Sequence, residues 1–163
     1  MNRFTLIGVG NQYRRDDGAG WEIAERIKAK ALPDVEVIMA SGEGAALMES
    51  MQGKKHVILF DAVCSGAQPG SIFKFDARAE RIPGNFFNYS THAFSVAEAV
   101  ELARTLDSLP EKLLVFGIEG EDFGSGPGLS ESVKQAVWQV VEEAAGLIQE
   151  QRFHNDKAEP NCA

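Results

Sequence analysis

Basic residues are the scarce class in this chain: 16 Lys and Arg stand against 24 Asp and Glu, for a formal net charge of −8. Nucleic-acid binding draws much of its affinity from Lys and Arg against phosphates, so no nucleic-acid partner is expected. Cysteine is scarcer still. The two present, Cys64 and Cys162, lie far apart and form neither a CxxC metal motif nor a disulfide framework. No apolar run approaches the roughly 20 residues needed to cross a bilayer. The start, "MNRFTLIGVG", enters a strand pattern without a signal-peptide cleavage site. A cytoplasmic protein with no membrane partner is the expectation. Internal repeats and low-complexity segments are also missing.

What is present suits one compact core. With 163 residues, 44% of them hydrophobic, the chain can bury one core and is short for two. A single α/β domain over 1–151 is expected, with 152–163, "RFHNDKAEPNCA", as a flexible tail without a core pattern. Five runs rich in Val, Ile, Leu and Phe read as strands: "RFTLIGV" (3–9), "VEVIMA" (35–40), "KHVILFDAV" (55–63), "SIFKFDA" (71–77) and "KLLVFGIE" (112–119). Helical period appears between and after them. Trp21, Ala24, Ile27 and Ala31 form one apolar stripe; Val96, Val100, Ala103 and Leu106 a second; Val133, Val137, Val140 and Leu147 a third. Near-continuous apolar strands separated by helices predict a three-layer α/β/α sandwich around a mostly parallel sheet. The link from the third strand to the fourth is too short for a helical crossover, which makes "SIFKFDA" the antiparallel or edge strand.

The first strand leads into "GVGNQYRRDDGAG" (8–20), the layout of a phosphate or dinucleotide loop. Neither signature is complete. Tyr13 stands where a GxGxxG fingerprint needs its third glycine, and no Gly-Lys-Ser/Thr follows. An anion would also meet Asp16 and Asp17 near the helix start. The structural reading is that Asp16 caps the helix and Asp17 sits in its first turn. The functional reading is that the loop holds a cation. Two other groups bear on the choice: Asp61 closes the apolar run "HVILFD", and His92 sits in "NYSTHAFS", ahead of a helix beginning near Ser95. Singly, Asp61 could be a turn former and His92 a helix-start residue bonded to backbone. Ligands of open α/β sheets collect beyond the carboxyl ends of the strands, where these loops open. Two carboxylates and an imidazole there would suit a borderline divalent ion such as nickel or zinc, with coordination positions left open.

These residues together resemble the [NiFe]-hydrogenase maturation proteases, which cut a C-terminal extension from the hydrogenase large subunit. The resemblance rests on "GVGNQYRRDDGAG", "LFDAV", "STHAFSVAEAV" and "GIEGEDFGSGPGLSESV", running in the family's order from Gly8 to Val133. It implies that Asp17, Asp61 and His92 are both the metal-binding and the catalytic set, with Asp16 in the preceding family aspartate position. It further implies an endopeptidase whose nickel comes from the substrate, with no organic cofactor, and a large-subunit precursor as partner. There is one departure. Where family members often carry Asp-Gly after the second strand, this chain reads Ser41-Gly42-Glu43, and the role of that position is left unassigned. Two alternatives use the same site groups: a non-catalytic nickel-delivery or quality-control protein for the same partner, and a generic metallohydrolase of small peptides.

Other features have plain structural readings beside the functional ones. Cys64 has no neighbouring base to activate it and reads as a loop or core thiol. Phe86, Phe87 and Tyr89 could form an apolar lip for a peptide or simply pack over the sheet edge. The glycine loop "EGEDFGSGPG" (119–128) is either part of the site edge or a connection. Glu22, Glu25 and Arg26, and likewise Glu142, Glu143 and Glu150, read as solvated helix faces.

Overall fold

The computed structural model describes residues 3–86 and 95–158, except for the side chains of residues 153 and 155–158. Five strands, β1 (Phe4–Val9), β2 (Val35–Ala40), β3 (His56–Val63), β4 (Ile72–Asp76) and β5 (Lys112–Glu119), form one sheet in the order β2-β1-β3-β5-β4. All pairings are parallel except β4 against β5. The expected antiparallel strand is therefore real, and it is also an edge. The other edge is β2, half-buried throughout, whereas every residue of β1 is buried.

Four helices cover both faces: α1 (Ala19–Ala29), α2 (Gly44–Met51), α3 (Val96–Thr105) and α4 (Glu131–Ala158). Strand alternation sorts the core into two halves. Phe4, Leu6, Ile58, Phe60, Phe116 and Ile118 point to α1 and α4, while Ile7, Val9, Val57, Leu59, Leu113 and Val115 point to α2 and α3. This is the three-layer sandwich that the apolar runs predict. The α3 stripe buries Val96, Val100 and Ala103 and the α4 stripe Val133, Val137 and Val140, as read from the sequence, whereas the stripe of α1 is rotated. In α1 the inward set is Ala19, Gly20, Ile23, Ala24 and Ile27. Trp21 is half-buried instead, its indole N–H donating to the carbonyl of Ala40 at 2.9 Å, and Ala31 is exposed beyond the helix end. Leu106 of the second stripe is likewise exposed, as the residue that caps the end of α3. Helix α2 was not foreseen. Helix α4 runs to Ala158, beyond residue 151, where the apolar pattern ends.

Glycine lets α1 lie unusually close to the sheet. A Cβ on Gly20 would stand 2.3 Å from the carbonyl oxygen of Val9 and 2.4 Å from that of Phe60; one on Gly8 would stand 2.4 Å from the carbonyl oxygen of Gly20. These glycines serve helix–sheet contact, which is why the loop has the look of a phosphate site without its remaining parts.

At the opposite end of the sheet, His56 begins β3 with its ring tilted against Phe4 at 5.3 Å and its Nδ1 buried without a partner. Burial first, and the nearby Lys112 charge second, hold its pKa below the ordinary 6.5. Because the folded pKa is depressed, the unfolded chain takes up the proton first as pH falls below about 6.5. This contribution to stability is present above that pH and is lost on acidification. We expect His56→Phe to show a smaller drop in Tm between pH 7.5 and 5 than the parent chain, with no loss at pH 7.5, since the substitution removes the orphan nitrogen. Equal drops in the two proteins would count against the assignment.

Candidate active site

The chain passes from β1 through α1 to β2 on one side, then returns through α2 to β3 on the other, so the strand order reverses between β1 and β3. The carboxyl ends of these two strands form the switch-point crevice where such sheets bind ligands. Asp17 and Asp61 both belong to it. Asp17 lies in a 3-10 turn (Arg15–Gly18) directly ahead of α1, and that turn packs against β3. Asp61 lies within β3, two residues before its end, opposite Gly117 of β5.

Both carboxylates are buried, Asp17 at 7% exposure and Asp61 at 4%. One oxygen of Asp61 accepts the backbone N–H of Ala62 at 2.8 Å. The backbone of Asp17 is fixed on both sides: its N–H donates to the carbonyl of Arg14 at 3.1 Å, and its carbonyl accepts the N–H of Asn11 at 3.2 Å. Gly10 makes that second contact possible. With φ at +141°, its missing Cβ would fall 1.9 Å from the carbonyl oxygen of Asp17. The loop's glycine therefore presses the Asp17 backbone against the end of β1.

His92 lies outside the described residues, as do Phe87 and Tyr89. The start of the helix that follows is nonetheless defined, because Ser95 and Glu98 form a reciprocal capping box at the head of α3. Among the described residues no group of three or more His, Cys, Asp or Glu is arranged to hold a metal ion. Asp17 and Asp61 are thus the two members of the expected set that can be placed.

Asp16 does not do what capping statistics suggest. Neither the 3-10 turn nor α1 has a side-chain cap. The carboxylate of Asp16, fully buried, instead reaches across to residues more than a hundred positions away. It accepts the backbone N–H groups of Glu121 (2.8 Å), Asp122 (2.9 Å) and Ser130 (2.7 Å), and the Ser130 hydroxyl (2.8 Å). The 119–128 loop is tied down further by Arg15 N–H to the Gly126 carbonyl and Gly126 N–H to the Tyr13 carbonyl. It is more than a connection, since it is bonded to the turn that carries Asp16 and Asp17.

A fourth buried carboxylate, Glu119 at 2% exposure, escaped the sequence reading. It accepts the N–H of Ser65 at 2.9 Å, the Ser65 hydroxyl at 2.7 Å and the N–H of Gly66 at 3.0 Å, holding the loop that leaves β3 just past Asp61. A glutamate ending an otherwise apolar strand was the available signal. Cys64, in the same loop, is exposed and free, consistent with a loop thiol. After β2, Gly42 turns the chain at φ +92° and Glu43 stands exposed ahead of α2, so the glycine of the departing motif keeps a conformational role.

Residues 21–147 match the hydrogenase maturation protease family. This chain belongs to that family. It is therefore a hydrolase acting on peptide bonds, which decides against a non-catalytic delivery protein. A Methanocaldococcus jannaschii chain assigned to the hydrogenase maturation proteases is 34% identical over 149 residues, covering 88% of this chain and 94% of its own length. The hydrogenase 2 maturation protease of Escherichia coli is 28% identical over 152 residues, covering 91% and 92%. Among solved structures, the hydrogenase maturating endopeptidase HybD from E. coli superposes with a TM-score of 0.74 at 22% identity, covering 91% of this chain and 93% of that one. The last comparison shows that the two share a fold. A cavity of about 310 Å³ lined by Phe4, His56, Lys112 and Gln151 lies at the amino ends of the strands, away from this site.

Proposed function

We propose that this hydrogenase maturation protease removes the C-terminal extension of a nickel-loaded [NiFe]-hydrogenase large-subunit precursor, reading the substrate's nickel through Asp17, Asp61 and His92. The observation that carries the reading is the pair of buried carboxylates at the switch point, one from the β1 loop and one from β3. Two oxygen donors form an incomplete shell, even with one imidazole added. Such a shell suits an ion whose remaining ligands come with the partner, and substrate thiolates would supply the softer ones. Nickel is thus part of the substrate. Once seated, it places the adjoining peptide beside the carboxylates, where proximity and a carboxylate base favour attack by water.

The direct test is to incubate the protein with nickel-loaded and with metal-free precursor and to weigh both products. A mass loss at the C-terminus of the loaded precursor, and none from the metal-free one, is expected. Equal cutting of both would remove nickel reading from the mechanism. Cleavage of short unrelated peptides on adding zinc would favour the small-peptide hydrolase instead.

A further inference from the structure

Two buried carboxylates outside the working pair converge on one short segment, the end of β5 and the residues just after it. Glu119 holds the loop that follows Asp61, through Ser65 and Gly66. Two and three residues later, the N–H groups of Glu121 and Asp122 hold Asp16, the neighbour of Asp17. Between them, Gly120 donates its N–H to the Val63 carbonyl at the end of β3. A side chain at Gly120 would meet the Phe123 ring at 2.4 Å and the Cβ of Asp16 at 3.2 Å, so the segment is packed against both loops.

We propose that Asp16 and Glu119 are positioning residues: they clamp the loop of Asp17 and the loop after Asp61 to the end of β5, and thereby set the spacing of the two working carboxylates. The inference rests on the reading of Asp17 and Asp61 as that pair. Its physical basis is the number and kind of contacts. Ionised carboxylates make the stronger class of hydrogen bond, and each of these accepts from backbone N–H groups whose positions are fixed by the chain. Asp16 has three such contacts and a fourth from the Ser130 hydroxyl, all between 2.7 and 2.9 Å and spread over two separate stretches of the β5–α4 connection. Asp17 follows it directly in the 3-10 turn, so a shift of Asp16 carries Asp17 with it. Neither clamp carboxylate needs to touch the substrate.

The test is steady-state cleavage of the nickel-loaded precursor by Asp16→Asn, Glu119→Gln, Ser130→Ala and, as a reference, Asp17→Asn. Each is assayed at a temperature where near-ultraviolet circular dichroism shows it folded. Amide groups in Asn or Gln turn a donor toward the waiting N–H groups, so both clamp variants lose contacts while keeping their size. Misplacing a reacting group by about 1 Å costs on the order of 100-fold, so kcat should fall by roughly that factor, with KM within about threefold. Ser130→Ala removes one of the four contacts to Asp16 and should lose under about fivefold. Hydrogen exchange at Glu121, Asp122 and Ser130 should quicken in Asp16→Asn while core amides stay protected. If Asp16→Asn and Glu119→Gln keep the parent kcat while Asp17→Asn is inactive, the clamp is overturned and the site stands. Losses of kcat that merely track an unfolded fraction, and vanish on cooling, also overturn it. Parent-level cleavage by Asp17→Asn would bring down the site reading, and the clamp with it.

Discussion

Asp17→Asn and Asp61→Asn should each lower cleavage of the nickel-loaded precursor by at least about a thousand-fold, the scale on which single members of a catalytic unit act. The substitution leaves the shape of each side chain and removes its charge. For Asp61 the fold should notice little, because an amide oxygen can still accept the Ala62 N–H that now bonds the carboxylate. For Asp17 the backbone contacts with Asn11 and Arg14 remain, and the amide keeps the size and one accepting oxygen of the carboxylate. A stability change within about 1 kcal/mol would move Tm by roughly 2–4 °C in a chain of this size. Loss of activity with a steady Tm is thus the expected pattern. His92→Ala should follow it by the same proposal. Undiminished cleavage in Asp17→Asn and Asp61→Asn would return these residues to a structural role, and a collapse of Tm in both would show that the losses report folding.

The sheet was legible because its central strands, β1, β3 and β5, are largely buried on both faces. Runs such as "HVILF" and "LLVF" have no polar alternation to hide them, and the link after β3 was too short for a helical crossover, which pointed to an antiparallel or edge strand. Helix α2 was not legible. It spans eight residues, begins with glycine, and buries only Gly44, Leu47 and Met51, too few turns for a period to emerge. Trp21 was placed on the core stripe by hydrophobicity, yet its N–H needs a partner and finds one at the end of β2. Asp17 and Asp61 stood out as acidic residues in the first glycine loop and at the close of the third apolar run, and the family resemblance singled out Asp17 over its neighbour. Asp16 was misread for a reason of distance. Capping is a local rule, whereas its partners lie 105 to 114 residues along the chain, and no pattern within one segment encodes them. Glu119 was hidden in the same way, as the last residue of an apolar run whose partners lie 53 and 54 positions earlier.

Gly10→Ala should join the two levels of the molecule in one measurement, because this glycine serves both the fold and the site. Its φ of +141° is a region that side chains rarely adopt, which alone costs on the order of 1–3 kcal/mol. The added methyl would also stand 1.9 Å from the Asp17 carbonyl oxygen, a backbone atom that cannot swing aside. Overpacking of this kind costs about a further 1–3 kcal/mol. The two together should lower Tm by roughly 10 °C, using about 2–4 °C per kcal/mol. Gly53→Ala provides the control. Gly53 also has a positive φ, +73°, but nothing within 4 Å of its missing Cβ, so the substitution meets conformational strain without a collision. It should cost about 1–2 kcal/mol and leave cleavage untouched. In Gly10→Ala the collision is relieved only by moving the end of β1 or the turn that carries Asp17. The fraction that remains folded should therefore cleave about 100-fold more slowly, as expected for a reacting group displaced by about 1 Å. If Gly10→Ala matches Gly53→Ala in both Tm and cleavage rate, the pressure of Gly10 on Asp17 has no energetic consequence, and the glycine loop does not position the acidic residue beside it.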